Sequence, residues 1–385
     1  MKWRARFLMK KLQNFFRRKR VCFDLVLLNV SPKLTNEHPI SSSKCQVLED
    51  AVLDNGRVVS ARELRITCTE QDFITYGTFY KWKSMDIINL RYYDKGYLPI
   101  EFINAILDLY QKKTTLKGNK DEEVNYMISK NMLNSAYGMT VTNPIRDELA
   151  YENGEYSVTK PDIFQAIDKY NKNKRRFLYY PWGVWVTAYA RRRLFTAIEA
   201  VGSDFVYSDT DSVKLLNPQI HAKFFEESNA LVTNKIEVAS QILRIPAEEY
   251  SPLTMKGIRK TIGFWDNEGV YDQFKTLGAK RYLVCVNGDY SLTLAGSNKK
   301  STMEYLLNTG DPFGNFTDDL IVPEDYSGRL TLTYLDDPME GTLVDYNGVP
   351  YHYREESGIH MEKSQYHLTM SDDFINYLLG VQELE

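Results

Sequence analysis

Asp209 and Asp211 are the two side chains whose type and spacing point most directly to chemistry. They lie in Phe205-Val206-Tyr207-Ser208-Asp209-Thr210-Asp211-Ser212-Val213-Lys214-Leu215, where two short runs of β-branched and aromatic residues flank a polar turn. That pattern predicts a β-hairpin. On extended backbone, side chains two apart share a face, so the spacing predicts two carboxylates converging at the tip of a rigid element. Like charges held that close are costly unless a cation sits between them. Hard oxygen donors favour Mg2+ or Mn2+, and two such ions can clamp the attacking and leaving oxygens of a phosphoryl transfer. Asp, Ser and Thr are also ordinary turn formers, so the string alone reads equally well as a solvated turn.

Two further groups have usable spacing. Lys130, Asn134 and Tyr137 fall at i, i+4 and i+7 of a helical stretch, on one face. A cation, an amide and a ring in that line suit the triphosphate, sugar and base of one nucleotide. A surface lysine beside a packed tyrosine has the same spacing. In Leu277-Gly278-Ala279-Lys280-Arg281-Tyr282-Leu283, Lys280 and Tyr282 share a face if the segment is a strand. One would then neutralise phosphate while the other touches sugar or base.

Tyr207-Ser208-Asp209-Thr210-Asp211-Ser212 resembles the third polymerase motif of family B DNA polymerases. Lys130-Asn131-Met132-Leu133-Asn134-Ser135-Ala136-Tyr137-Gly138 resembles the fingers motif of the same family, in particular of the protein-primed DNA polymerases of small tailed bacteriophages. Their version also runs on into an Asn-Pro, here Asn143-Pro144, and Tyr180-Pro181-Trp182-Gly183-Val184 and the Lys-x-Tyr of 280–282 are similar to theirs. The resemblance implies an α+β fold. It comprises a palm with an antiparallel sheet (1–90 and 181–305), helical-hairpin fingers (91–139), an insertion that closes a tunnel around the template (140–180), and a small β-rich thumb with an acidic C-terminal region (306–385). It implies Asp209 and Asp211 as catalytic ligands of two Mg2+ or Mn2+ ions. Lys130, Asn134, Tyr137, Lys113 and Tyr207 would bind nucleotide, and Lys280, Tyr282 and Gly138 would bind DNA. The implied partners are primer–template DNA, dNTPs and a terminal priming protein, in the cytoplasm of a bacterial host.

The family's first polymerase motif, with its metal-binding aspartate, and its exonuclease domain have no counterpart in the chain. Residues 1–20 hold no Asp, and Asp24 lacks the Ser-x-Tyr-Pro context that follows that aspartate. The expectation is a split or truncated DNA-directed DNA polymerase whose upstream polypeptide supplies the missing carboxylate. The alternative is a non-catalytic DNA-binding remnant.

The elements that must position these residues are partly readable. Val21 to Val30 reads as a strand, Asp54-Asn55-Gly56 as a hairpin turn, and Leu64, Ile66 and Cys68 as alternation into a core. Thr69-Glu70-Gln71-Asp72 reads as a capping box opening a helix to about Tyr80. Residues 99–138 read as a helical hairpin whose lysine-rich loop holds Lys112, Lys113, Lys117 and Lys120. Without the resemblance, 140–180 reads as a surface loop. Gly183 to Ala200 reads as a helix, with Arg191, Arg192 and Arg193 on a solvated face or against phosphate. Residues 218–262 read as a helical connection. Tyr334-Leu335-Asp336-Asp337 mimics the box of reverse transcriptases but reads as a turn.

Charge is unevenly spread. Residues 311–385 carry 16 acidic and 3 basic side chains, a net of −13, which leaves +10 on residues 1–310 of a chain whose total is −3. A basic body suggests a polyanionic partner. Residues 1–20 hold nine Lys/Arg and no acid, interleaved with Trp3, Phe7, Leu12, Phe15 and Phe16. This reads as a basic amphipathic segment whose aromatic stripe is exposed in the isolated chain. Cys22, Cys45, Cys68 and Cys285 lack metal spacing and read as reduced structural thiols. No apolar run approaches the roughly 18 residues of a spanning helix.

Overall fold

The first sheet follows from alternation. The computed structural model describes residues 14–368 apart from 34–36, 55, 147, 153–154, 160, 335–338, 346 and 356–358. Residues 14–18 are helical (α1) and lead into β1 (Lys19–Pro32). In β1, Val21, Phe23, Leu25 and Leu27 are buried, every second residue. The phase slips at Asn29, whose φ is +52°, and Val30 is the next core residue. β2 (Cys45–Glu49) and β3 (Val52–Asp54) follow. β4 (Arg57–Thr69) pairs with β3 around the expected turn and buries Leu64, Ile66 and Cys68 as expected.

Thr69 then opens α2 (Glu70–Phe79) through a reciprocal capping box. The Asp72 N–H donates to Thr69 Oγ1 at 3.3 Å, and the Thr69 N–H donates to Asp72 Oδ2 at 3.2 Å. β5 (Tyr80–Lys81) and β6 (Ser84–Asp94), neither foreseen, pair antiparallel with β1. The sheet is antiparallel and six-stranded, with β2-β4-β1-β5 as its path, β3 on β4 and β6 on β1. Phe16 belongs to its core, stacked on Phe23 at 5.8 Å and edge-on to Phe73, and Phe15 packs edge-on against Tyr92. The expected exposed stripe is therefore wrong at these two residues. Trp3, Phe7 and Leu12 lie outside the described residues.

α3 (Ile100–Leu116) and α4 (Glu123–Met139) form the expected helical hairpin. The tip is shorter than its lysines suggested. Lys112 and Lys113 belong to α3, where Lys112 pairs with Asp108 at 2.7 Å, and only Lys117 and Lys120 lie between the helices. Residues 140–180 hold a β-hairpin, β7 (Glu148–Glu152) with β8 (Glu155–Thr159), and α5 (Ile163–Lys172), where sequence alone suggested a loop. α6 (Tyr180–Val201) runs into the hairpin of β9 (Phe205–Asp209) and β10 (Ser212–Leu215), and α7 (Pro218–Leu243) follows.

The chain divides into two compact units. One runs to Asn143 and resumes over Asn173–Asp266; the other comprises Pro144–Lys172 and continues from Asn267. In the second, β11 (Gln273–Thr276), β12 (Arg281–Val286) and β13 (Asp289–Leu294) form an antiparallel sheet. Asn287 and Gly288, both at positive φ, make its two-residue turn. Asn-Gly between two apolar runs is a strong hairpin signal, though absent from the expectations above. α8 (Lys299–Asn308), capped by Asn298, covers that sheet. β14 (Ile321–Val322) pairs with β19 (Tyr366–His367); β15 (Arg329–Tyr334) pairs with β18 (Ile359–Ser364), and β16 (Met339–Val344) with β17 (Pro350–Glu355). Asp336 and Asp337 lie outside the described residues. All four cysteines are free, and among the described residues no helix is long and apolar enough to cross a membrane.

Candidate active site

α6 carries the carboxylate hairpin, and its own placement is set at three points. Pro181 lies in its first turn, where a missing N–H costs nothing. A Cβ on Gly183 would come within 2.4 Å of Val141 Cγ1 and 3.0 Å of Thr140 Oγ1, so glycine is what lets α6 lie this close to the end of α4. The Tyr179 N–H donates to the Thr140 carbonyl at 3.0 Å in the same contact.

The third point is a buried polar network with α2. Glu70, fully buried, accepts from Trp185 Nε1 at 3.0 and 3.1 Å, from the Val21 N–H at 2.9 Å and from Gln71 Nε2 at 3.1 Å. Arg191 forks onto Asp72 at 2.9 and 3.1 Å, and Arg192 NH1 donates to Gln71 Oε1. Arg193 instead lies over the Trp265 ring at 5.0 Å. The arginine run is thus not simply a solvated face, because two of its members tie α6 to the first turn of α2. An acidic first turn on a capped helix was the available signal; its partners, more than a hundred residues away, leave no mark in local spacing.

At the hairpin tip, Asp209 ends β9 and pairs with Ser212, while Thr210 and Asp211 form the turn. The carboxylates therefore do not share the face of one strand, and the alternation argument does not hold here. A tighter device replaces it. Thr210 has a φ of +50°, and the Asp211 N–H closes back on the Asp209 carbonyl at 2.5 Å, a three-residue turn. Thr210 Oγ1 donates to Asp209 Oδ1 at 3.0 Å, and Ser212 Oγ to the Asp209 carbonyl at 3.3 Å. Asp209 is half-buried and Asp211 exposed. Tyr207, two residues before Asp209, is buried at 8% exposure.

Two hard carboxylates open to solvent suit a divalent cation as part of its ligand set. Among the described residues no group of three His, Cys, Asp or Glu side chains is gathered for a metal. Asp24 is committed elsewhere. Buried within the sheet, it accepts from Arg65 at 2.6 Å, Thr67 at 2.6 Å and Asn89 at 2.8 Å, and these bonds hold its carboxyl down at about 2.

α4 and the carboxylate hairpin both pack on α6. Lys130, Asn134 and Tyr137 all fall within α4. Asn134 and Tyr137 are exposed, and Lys130 lies 5.7 Å from the Tyr126 ring centroid. Lys113, on α3, lies over Tyr110 at 5.8 Å. A Cβ on Gly138 would meet nothing within 4 Å, so no packing demands glycine there. Lys280 and Tyr282 belong to the second unit. Lys280 sits in a turn at φ +59°, outside β12, so the shared strand face expected of this pair is absent. Tyr282, in β12, stacks on Phe274 at 5.6 Å.

Comparison with known proteins bears on what this arrangement serves. The chain is similar to the DNA polymerase of Bacillus phage Nf, 26% identical over 199 residues, which is 51% of this chain and 28% of that protein. It is likewise 26% identical over 181 residues to the DNA polymerase of Bacillus phage phi29, 46% of this chain and 24% of that protein. Its fold matches phi29 DNA polymerase solved with primer-template DNA and incoming nucleotide substrates, with a TM-score of 0.55 at 16% identity over 91% of this chain. The chain is thus similar in sequence to phage DNA polymerases and in fold to phi29 DNA polymerase. No family model matches it. The chain covers 51% of that solved chain, and its matched stretch spans about a quarter of the curated relatives. The phi29 enzyme in its binary DNA complex gives the same picture, with a TM-score of 0.53 at 17% identity.

Proposed function

We propose that this chain provides the palm, fingers and thumb of a DNA-directed DNA polymerase that adds deoxynucleotides to a primer 3′-OH or a protein primer. The Asp209-Thr210-Asp211 tip carries this reading: two carboxylates on a constrained turn, beyond a helix held by a glycine contact and by an ion pair from exposed Arg191 to buried Asp72. Asp209 and Asp211 would hold two Mg2+ or Mn2+ ions together with a third carboxylate from outside the described residues, supplied by an upstream polypeptide if the polymerase is split. Bound there, such ions would supply Lewis-acid stabilisation to the attacking and leaving oxygens.

The chain's own groups bind and orient. Lys130 and Lys113 neutralise the triphosphate, Asn134 and Tyr137 line the sugar, and Tyr207 backs the hairpin from inside. Gly138 leaves room for the template, while Lys280 and Tyr282 hold the primer end. In this reading 1–90 and 181–305 are palm, 91–139 fingers, 140–180 the insertion and 306–385 thumb. The partners are primer–template DNA, dNTPs and a priming protein, in the cytoplasm of a bacterial host. The relatives' polymerase identity and the exposed face of α4 support this.

The test is primer extension by this chain together with the polypeptide carrying the third carboxylate. Asp211→Asn should lower extension by about a thousandfold or more while DNA affinity stays within about twofold, since most of that affinity comes from phosphate contacts. Wild-type extension by the mutant would refute the assignment. DNA binding without extension by either protein would leave the non-catalytic remnant.

A further inference from the structure

The root of the carboxylate hairpin is closed by side chains that no motif announced. Asp204 ends the 3-10 turn before β9, Asn217 follows β10, and His221 lies near the start of α7. His221 Nε2 and Asp204 Oδ2 share a hydrogen bond of 2.8 Å, with the carboxylate accepting. Asn217 Nδ2 donates to Asp204 Oδ1 at 3.3 Å, and the Leu216 N–H donates to the Asp204 carbonyl at 2.8 Å. Both members of the His221–Asp204 pair are largely shielded, at 14% and 22% side-chain exposure. The bonds from His221 and Asn217 hold the Asp204 carboxyl below its usual range. One carboxylate thus ties together the entry strand, the exit and the helix beyond.

The ladder itself is weakest at this end. Lys214 pairs with Tyr207 but Leu215 pairs with Phe205, so the β9–β10 register slips at the root. A two-stranded hairpin is marginal alone, and what fixes its root fixes its aim. Asp209 lies four residue steps beyond Phe205, a lever of about 13 Å at strand rise. A rotation of roughly 5° at the root then moves the tip by about 1 Å, enough to cost about a hundredfold in rate.

We propose that His221 is a positioning residue for nucleotidyl transfer, acting through Asp204 to fix the hairpin root and so the aim of Asp209 and Asp211. This rests on the polymerase reading of the hairpin, and the test separates the two. Hydrogen–deuterium exchange on the full chain should show the 205–215 amides exchanging about tenfold faster in His221→Ala, with 281–294 unchanged. In His221→Gln, whose amide can donate to Asp204, protection should persist. In primer extension with the third carboxylate supplied, His221→Ala should lower kcat about tenfold with the nucleotide KM within about twofold, and His221→Gln should recover most of it.

Unchanged 205–215 exchange in His221→Ala overturns the clasp. Faster exchange with full kcat overturns the positioning role. Should His221→Ala fail to fold, Asp204→Asn keeps size and an acceptor but drops the charge; about threefold faster exchange supports the clasp, and none overturns it. Extension unaffected by Asp211→Asn would overturn the polymerase reading instead, with the exchange result still judging the clasp.

Discussion

Thr210 holds a backbone conformation that a β-branched residue rarely adopts, at a cost of about 1–2 kcal/mol. In the proposed site, strain of that size beside Asp209 and Asp211 would serve to aim them. Thr210→Gly removes the strain but adds roughly 0.5–1 kcal/mol of chain entropy. Urea unfolding should therefore show no loss, or a gain of up to about 1 kcal/mol, while extension slows as the tip loosens. A clear loss of stability would show that the turn is unstrained. Asp24 works differently, as a structural anion. Its carboxyl is held at about 2, below the usual 3.8, so its stabilisation is present above about pH 4 and is lost as pH falls through about 2. Acid unfolding of Asp24→Asn should lack that component between pH 4 and 2; an unchanged acid profile would remove Asp24 from the account. Residue types were readable here, since two carboxylates with one residue between them stand out in any hairpin. Their geometry was not, because strand alternation stops where the turn begins, at Asp209 and again at Lys280.

At the scale of elements, the site depends on where α6 lies. Gly183→Ala would drive a methyl to 2.4 Å from Val141 Cγ1. The expected cost is about 1–3 kcal/mol by chemical denaturation, with a fall in extension from the displaced hairpin. A neutral effect on both would mean that the α4–α6 contact does not set the helix. Periodic elements were legible: β1 and β4 from alternation, α2 from its capping box, α6 from its apolar spacing. β6 was not, because most of its side chains face solvent and give no apolar period. Nor was the Arg191–Asp72 pair, since a run of arginines looks the same whether solvated or tied to a distant helix. The Arg20–Glu70–Trp185 contacts were hidden for the same reason.

Across the whole molecule, two units each carry their own core, and the charge is split between a basic body and an acidic end. Composition shows that division without showing what each part grips, and the resemblance in short motifs supplied the class that bulk charge could not. Templated nucleotide addition is the activity proposed for the Asp209–Asp211 hairpin. The most direct measurement is single-nucleotide incorporation on four primer–templates differing only in the templating base, with the third carboxylate supplied and each dNTP offered alone. Wild type should add only the complementary dNTP, with Mg2+ or Mn2+ required, and Asp209→Asn and Asp211→Asn should add none. Addition regardless of template, or matched addition undiminished in both mutants, would contradict the account.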